Sequence, residues 1–176
     1  MYAFRKAAWT RAALITIITL LCVGACVTAF IVVFGMNPHI IDKGELPGKP
    51  EGLSTADGYI AYSAPEVADI SLCGIPACDG NEAMLYLTNP ETNSVLIKAE
   101  IYTVKEQRNV QNGNVSYLPD KLIGKTGFIH PGCYVPSVRI NGITLGENTK
   151  IMIKICTMFE DSGKSNGTFY IRTVIK

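Results

Sequence analysis

The sequence predicts a mainly β protein: an antiparallel two-sheet (Ig-like) sandwich preceded by one N-terminal transmembrane helix. Three observations predict it. Residues 12–36 form a single uncharged apolar run. Beyond residue 71, apolar and polar residues alternate with period two over several short segments. Turn-forming Gly, Pro, Asn and Asp separate those segments, and no helical period of useful length follows residue 40.

The 176 residues suit one compact domain plus a tail. Apolar residues make up 48% of the chain and charged residues 18%, too apolar a balance for a chain disordered throughout. The formal charge of +1 argues against a nucleic-acid binder, which carries a strong basic excess.

Residues 1–11 hold Arg5, Lys6 and Arg11 and read as a cytoplasmic basic terminus. A helix over 12–36 would be about 37 Å long at the α-helical rise, enough to cross a hydrocarbon core of about 30 Å with some tilt. Trp9 sits near its start, and the first acidic residue is Asp42, so the positive-inside rule puts the N-terminus in the cytoplasm and the rest outside. A cleaved signal peptide would need a shorter apolar region and a small-residue cleavage site. Val23-Gly24-Ala25-Cys26 resembles a lipobox, but Val-Thr-Ala-Phe-Ile-Val-Val-Phe follows in place of a polar tether. Within a membrane helix, Cys22 and Cys26 read as small apolar residues.

Residues 37–70 read as an extracytoplasmic linker, with proline at 38, 47, 50 and 65 and glycine at 44, 48, 52 and 58. Tyr59–Tyr62 within it could form a short docking strand. Residues 71–176 form the predicted sandwich. Val95, Ile97, Ala99 and Ile101 share one face of a strand whose other face holds Lys98, Glu100 and Tyr102. Ile151, Ile153, Ile155 and Phe159 oppose Lys150, Lys154 and Glu160. Phe169, Ile171 and Ile175 oppose Arg172 and Lys176. Less regular strands fit at 83–88, 121–129 and 133–140, with turns at 88–91, 112–113, 130–132 and 161–163. Six or seven one-sided strands of this kind suit two packed antiparallel sheets.

Four cysteines lie in the outer part: Cys73, Cys78, Cys133 and Cys156. An even count in an exported domain permits two disulfides. If 133–140 and 149–156 pair symmetrically about the loop between them, Cys133 falls opposite Cys156, within disulfide reach. Cys73 and Cys78 enclose the short loop Gly74-Ile75-Pro76-Ala77. The expectation is Cys73–Cys78 and Cys133–Cys156. Unoxidised buried thiols and a four-cysteine zinc site are the alternatives, the second disfavoured by ligand spacing.

Catalytic patterns are sparse. No Gly-x-Ser-x-Gly elbow, P-loop, His-Glu-x-x-His or Gly-x-Gly-x-x-Gly occurs, and the two histidines, His39 and His130, fit a solvated position and a turn. Ile155-Cys156-Thr157, followed by a strand with Arg172, resembles the end of sortases, the membrane-anchored cysteine transpeptidases. That resemblance implies Cys156 as nucleophile, His130 as acid/base and Arg172 on the oxyanion side. The sequence departs from the Thr-Leu-x-Thr-Cys motif, reading Met-Ile-Lys-Ile-Cys, and His130 lies only 26 residues upstream. Asn114-Val115-Ser116 and Asn166-Gly167-Thr168 are formal N-glycosylation acceptors.

Ile75-Pro76, Leu85–Asn93, Gly127–Ile140, Leu145-Gly146, Ile151–Cys156 and Gly167–Lys176 together resemble small, mostly uncharacterised surface proteins of Gram-positive Firmicutes over residues 75–176. The resemblance implies an N-terminal membrane helix or lipid anchor, a spacer and one β-sandwich outside the cell. It implies no catalytic residue, cofactor or metal, and it does not extend to the four cysteines. Of the 16 basic residues, 13 follow residue 36, against 15 acidic ones, so the outer part has a side-chain charge of −2 and no electrostatic grip on acidic polymers as a whole. The expected protein is a single-pass binding or structural module of the cell envelope, with the membrane and an envelope protein as partners. It is not expected to be an enzyme. An accessory subunit acting through its helix, with Gly24, Ala25 and Ala29 allowing close helix approach, is the rival reading.

Overall fold

A computed structural model describes residues 40–55, 58–108 and 113–176, together with Thr19. The basic terminus 1–11, the apolar run 12–36 apart from Thr19, with Cys22 and Cys26, His39 and the Asn112 half of the 112–113 turn lie outside these residues. Among the described residues no helix is long and apolar enough to cross a membrane. Residues 40–176 form one compact unit.

Its described residues form twelve strands: β1 (Leu46–Pro47), β2 (Tyr59–Ala64), β3 (Ala68–Cys73), β4 (Ala77–Asp79), β5 (Glu82–Met84), β6 (Leu87–Asn89), β7 (Leu96–Arg108), β8 (Val115–Lys125), β9 (Cys133–Val135), β10 (Val138–Arg139), β11 (Lys150–Met158) and β12 (Ser165–Val174). They form three antiparallel sheets, in the orders β1-β9-β6-β3-β2, β10-β5-β4 and β12-β11-β7-β8. The predicted mainly β, antiparallel class is therefore present.

Alternation places the core. Ile97, Ala99 and Ile101 of β7 and Ile151, Ile153 and Ile155 of β11 are fully buried, and one cluster joins them to Ala68, Ile70 and Leu72 of β3. Removing each large side chain from water stabilises by about 1.5–3 kcal/mol. Phe159 departs from the expected face. The strand ends at Met158 after a register shift at Thr157, and the ring is left 39% exposed.

Two segments change sheets. Residues 82–89 run from β5 into β6, and 133–139 run from β9 into β10, so both cross together. Tyr86 takes φ 49° at the bend and donates its N–H to the Pro136 carbonyl at 2.9 Å. Pro136 has no N–H to offer a ladder, which fits a corner better than a strand centre.

This topology corrects the expected hairpin. The segment 133–140 pairs with β6, β1 and β5, whereas β11 lies between β7 and β12. Cys133 consequently stands opposite Asn89 and Pro47, and Cys156 opposite Lys98 and Thr168.

Of the predicted spacer 37–70, the described residues 40–55 and 58–70 belong to the compact unit. Gly58 and Pro65 in it mark turns next to short strands of the domain. Gly58 (φ 81°) precedes β2, and Pro65-Glu66 (φ 64° at Glu66) closes the β2–β3 turn. Tyr62 packs on the core, and Ile70 and Leu72 belong to it. Further upstream, Phe128 donates its N–H to the Ile40 carbonyl at 2.9 Å, and Asp42 donates its N–H to the Phe128 carbonyl at 2.8 Å. Ile40 and Asp42 are thus docked on the domain.

Candidate functional site

No disulfide joins any two of Cys73, Cys78, Cys133 and Cys156. Cys73 ends β3, buried, with its N–H donated to the Leu85 carbonyl at 2.8 Å. Cys78 is half-buried on β4, and burial pushes its thiol up from the ordinary value. Burial also raises the Cys133 thiol, helped by the charge of Glu45 and a hydrogen bond to it. Among the described residues, no group of three or more His, Cys, Asp or Glu is arranged to hold a metal ion.

The three residues of the sortase-like reading do not meet. Glu45 accepts from the His130 backbone N–H at 2.8 Å and from its ring Nδ1 at 3.0 Å, while His130 Nε2 lies 3.7 Å from Glu160. Arg172 stands opposite Met152, with the Tyr170–Lys154 row between it and Cys156 along the sheet. Cys156 has Lys98, Glu100 and Lys154 as charged neighbours, and burial, the largest influence, raises its thiol. A thiol raised in this way offers little thiolate at neutral pH, opposite to what an activated nucleophile requires.

Those neighbours form a network on the outer face of the four-stranded sheet. Glu100 is paired with Lys98 at 3.0 Å and Lys154 at 3.2 Å, and it accepts from the Tyr102 hydroxyl at 2.9 Å. Burial pushes its carboxyl up. Hydrogen bonds from Lys98, Tyr102 and Lys154 outweigh this and hold it at about 2. Such satisfied charge pairs order a sheet face.

A concavity lies elsewhere, where three connections converge. A cleft of about 470 Å³ is lined by the β2–β3 turn (63–69), residues 92–95, Phe159 and Asn166. Its walls are fixed by amides. The fully buried Asn89 donates through Nδ2 to the Val95 and Ile129 carbonyls, both at 2.9 Å. Asn93 donates to Asn89 Oδ1 and to the Asp69 carbonyl, both at 2.6 Å, and its own Oδ1 accepts from the Asp69 N–H at 3.2 Å. Asn166 donates to the Val67 carbonyl at 2.7 Å. A second hollow of about 480 Å³, lined by Ser94, Phe159, Glu160 and Asp161, adjoins it around the exposed ring. An aromatic face beside fixed amides, hydroxyls and carboxylates can take apolar contact on one side and hydrogen bonds on the other.

Sequence reasoning read the turn around Asn89-Pro90 but not the cleft. Its signal was the pair Asn89 and Asn93 flanking a proline, with a third asparagine 73 residues beyond Asn93. Only the topology brings Asn166 to them. Glu45, placed in the supposed spacer, was likewise missed. No family model, no curated protein and no solved structure matches the chain.

Proposed function

We propose that this chain is a membrane-anchored binding or structural module of the cell envelope, without catalytic activity of its own. Residues 12–36 form the single-pass anchor with the N-terminus in the cytoplasm. The unit 40–176, with its three antiparallel sheets, is a sandwich-like β domain displayed outside, and its partner is an envelope protein. One observation carries the reading: the convergent loop cleft, whose walls are held by hydrogen-bonded asparagines before any partner arrives. A wall ordered in advance binds without a large ordering penalty. The acidic side chains at this end (Glu66, Asp69, Glu160 and Asp161) favour a neutral or cationic segment of the partner. The sortase-like alternative is weakened by the raised thiol of Cys156 and by the sheet row between it and Arg172.

The test uses the full-length protein in detergent micelles, sedimented with isolated cell-envelope material. Retention is expected, with loss of most of it on Phe159→Ala or Ser94→Lys, and with no loss when residues 1–39 are exchanged for an unrelated anchor. Retention that follows the helix, and ignores the cleft variants, would transfer the function to the membrane segment.

A further inference from the structure

The outer face of the four-stranded sheet carries a further concavity, near the end of β12 opposite to Asn166. Ile75, Tyr117, Lys150, Arg172, Thr173 and Val174 line a cavity of about 400 Å³. Two cations share the Tyr117 ring: the Arg172 guanidinium carbon lies 4.4 Å from its centroid and Lys150 Nζ 5.1 Å. Their charges are balanced differently. Lys150 Nζ is 2.5 Å from Glu106 Oε1, so its charge has a partner. Arg172 is exposed, and among the described residues no ion pair or hydrogen bond engages its guanidinium.

The opposite wall is the turn Gly74-Ile75-Pro76. Thr173 Oγ1 donates to the Gly74 carbonyl, and the Lys176 N–H donates to the Pro76 carbonyl at 2.9 Å. The turn is thereby fixed against β12 while holding the Ile75 side chain 56% exposed at the cavity.

We propose that this cavity binds an oxyanion carried on a compact apolar or ring-shaped body. Stacking on Tyr117 occupies one face of the guanidinium and leaves its in-plane N–H edge for two parallel hydrogen bonds to the oxyanion. Ile75, Val174 and the tyrosine ring cover the body of the ligand. The volume falls in the range of about 300–1,000 Å³ typical of small-molecule sites. One net positive charge remains among Lys150, Arg172 and Glu106, which matches a singly charged ligand group. A carboxylate and a phosphate both satisfy this chemistry. The site lies away from the loop cleft, and either can fail without the other.

The experiment is calorimetric titration of the full-length protein in detergent micelles with 2-naphthoate, phenyl phosphate and neutral benzamide. Saturable binding of at least one anion is expected, with benzamide weaker by about tenfold or more. Preference for naphthoate assigns a carboxylate ligand, and preference for phenyl phosphate a phosphate. Arg172→Gln is expected to weaken the anion by about ten- to a hundredfold. Arg172→Lys, which keeps the charge and loses the fork, falls between, and Ile75→Ser weakens both anions. Both positions are exposed, and an unchanged thermal midpoint verifies the fold. Equal affinity for benzamide, no saturable binding of either anion, or affinity indifferent to Arg172→Gln overturns the proposal.

Discussion

Glu45 bonds His130 twice, through the backbone N–H at 2.8 Å and through ring Nδ1 at 3.0 Å. One carboxylate thereby ties the first docked stretch of the domain, next to β1, to the turn that leads into β9. It also stands beside the Cys133 thiol. Glu45→Ala removes the acceptor and leaves the half-buried His130 N–H without it. Such an unsatisfied donor costs about 1–3 kcal/mol. Urea unfolding of the full chain is expected to show that loss, with Glu45→Gln, which keeps a carbonyl acceptor, losing less. Equal stability of Glu45→Ala and the parent would mean that the tie contributes nothing.

Gly127 tests the same docking from the other side. A Cβ there would stand 2.5 Å from the Asp42 nitrogen, 2.6 Å from its Cα and 2.8 Å from the Ile40 carbonyl oxygen, all backbone atoms that cannot swing aside. The Gly127 N–H also donates to Asp42 Oδ2 at 2.6 Å. Gly127→Ala is therefore expected to push residues 40–42 off the domain, at roughly 1–3 kcal/mol, the usual range for overpacking. Limited proteolysis is the direct readout: cleavage between residues 40 and 48 speeds up, while cleavage elsewhere stays unchanged. Uniformly faster cleavage would indicate global unfolding instead.

The thiols make a separate prediction. Cys133 and Cys156 stand in different sheets, and burial raises both thiols along with that of Cys78. All three are expected to take up iodoacetamide without prior reduction, more slowly than glutathione at pH 7, and faster as the pH rises toward their raised values. Intact mass with and without reductant reads the outcome. Labelling only after reduction would restore the pairs read from the sequence, and fast labelling of Cys156 alone at neutral pH would revive the sortase-like reading.

Much of the fold was legible because period-two alternation is a local signal. Ile97, Ala99, Ile101, Ile151, Ile153 and Ile155 declare their faces from sequence alone, and all are buried. Pairing is non-local, and there the reading failed. The 133–140 segment was matched to its sequence neighbour, yet its partner β6 lies more than 40 residues upstream. The spacer failed for a related reason. Gly58 and Pro65 are turn signals in a linker and in a meander of short strands alike, and only the burial of Ala68 and Ile70 decides between them. The loop cleft was invisible because Asn93 and Asn166 meet only through topology. Arg172 was singled out, but as a partner of Cys156, since sequence spacing cannot show that it turns toward Tyr117.

Glu100 makes stability depend on acid. Its folded carboxyl is held at about 2, against an ordinary value of 4.5, and its side chain is only 15% exposed. A carboxyl depressed on folding stabilises fully above its unfolded value, and that contribution fades as pH falls through the folded value. The window therefore runs from about pH 4.5 down to about 2, and the full contribution is on the order of 3 kcal/mol. Other carboxylates titrate over the same range, so the parent alone cannot isolate it. Glu100→Gln removes this titration while keeping the shape. Chemical unfolding across pH 2–6 is expected to show a shallower slope for the variant, with the two curves converging at the acid end. The same variant leaves Lys98 and Lys154 facing each other without their shared carboxylate, so its deficit at pH 6 should shrink with added salt. Parallel curves across the window would mean that Glu100 is not held in this network.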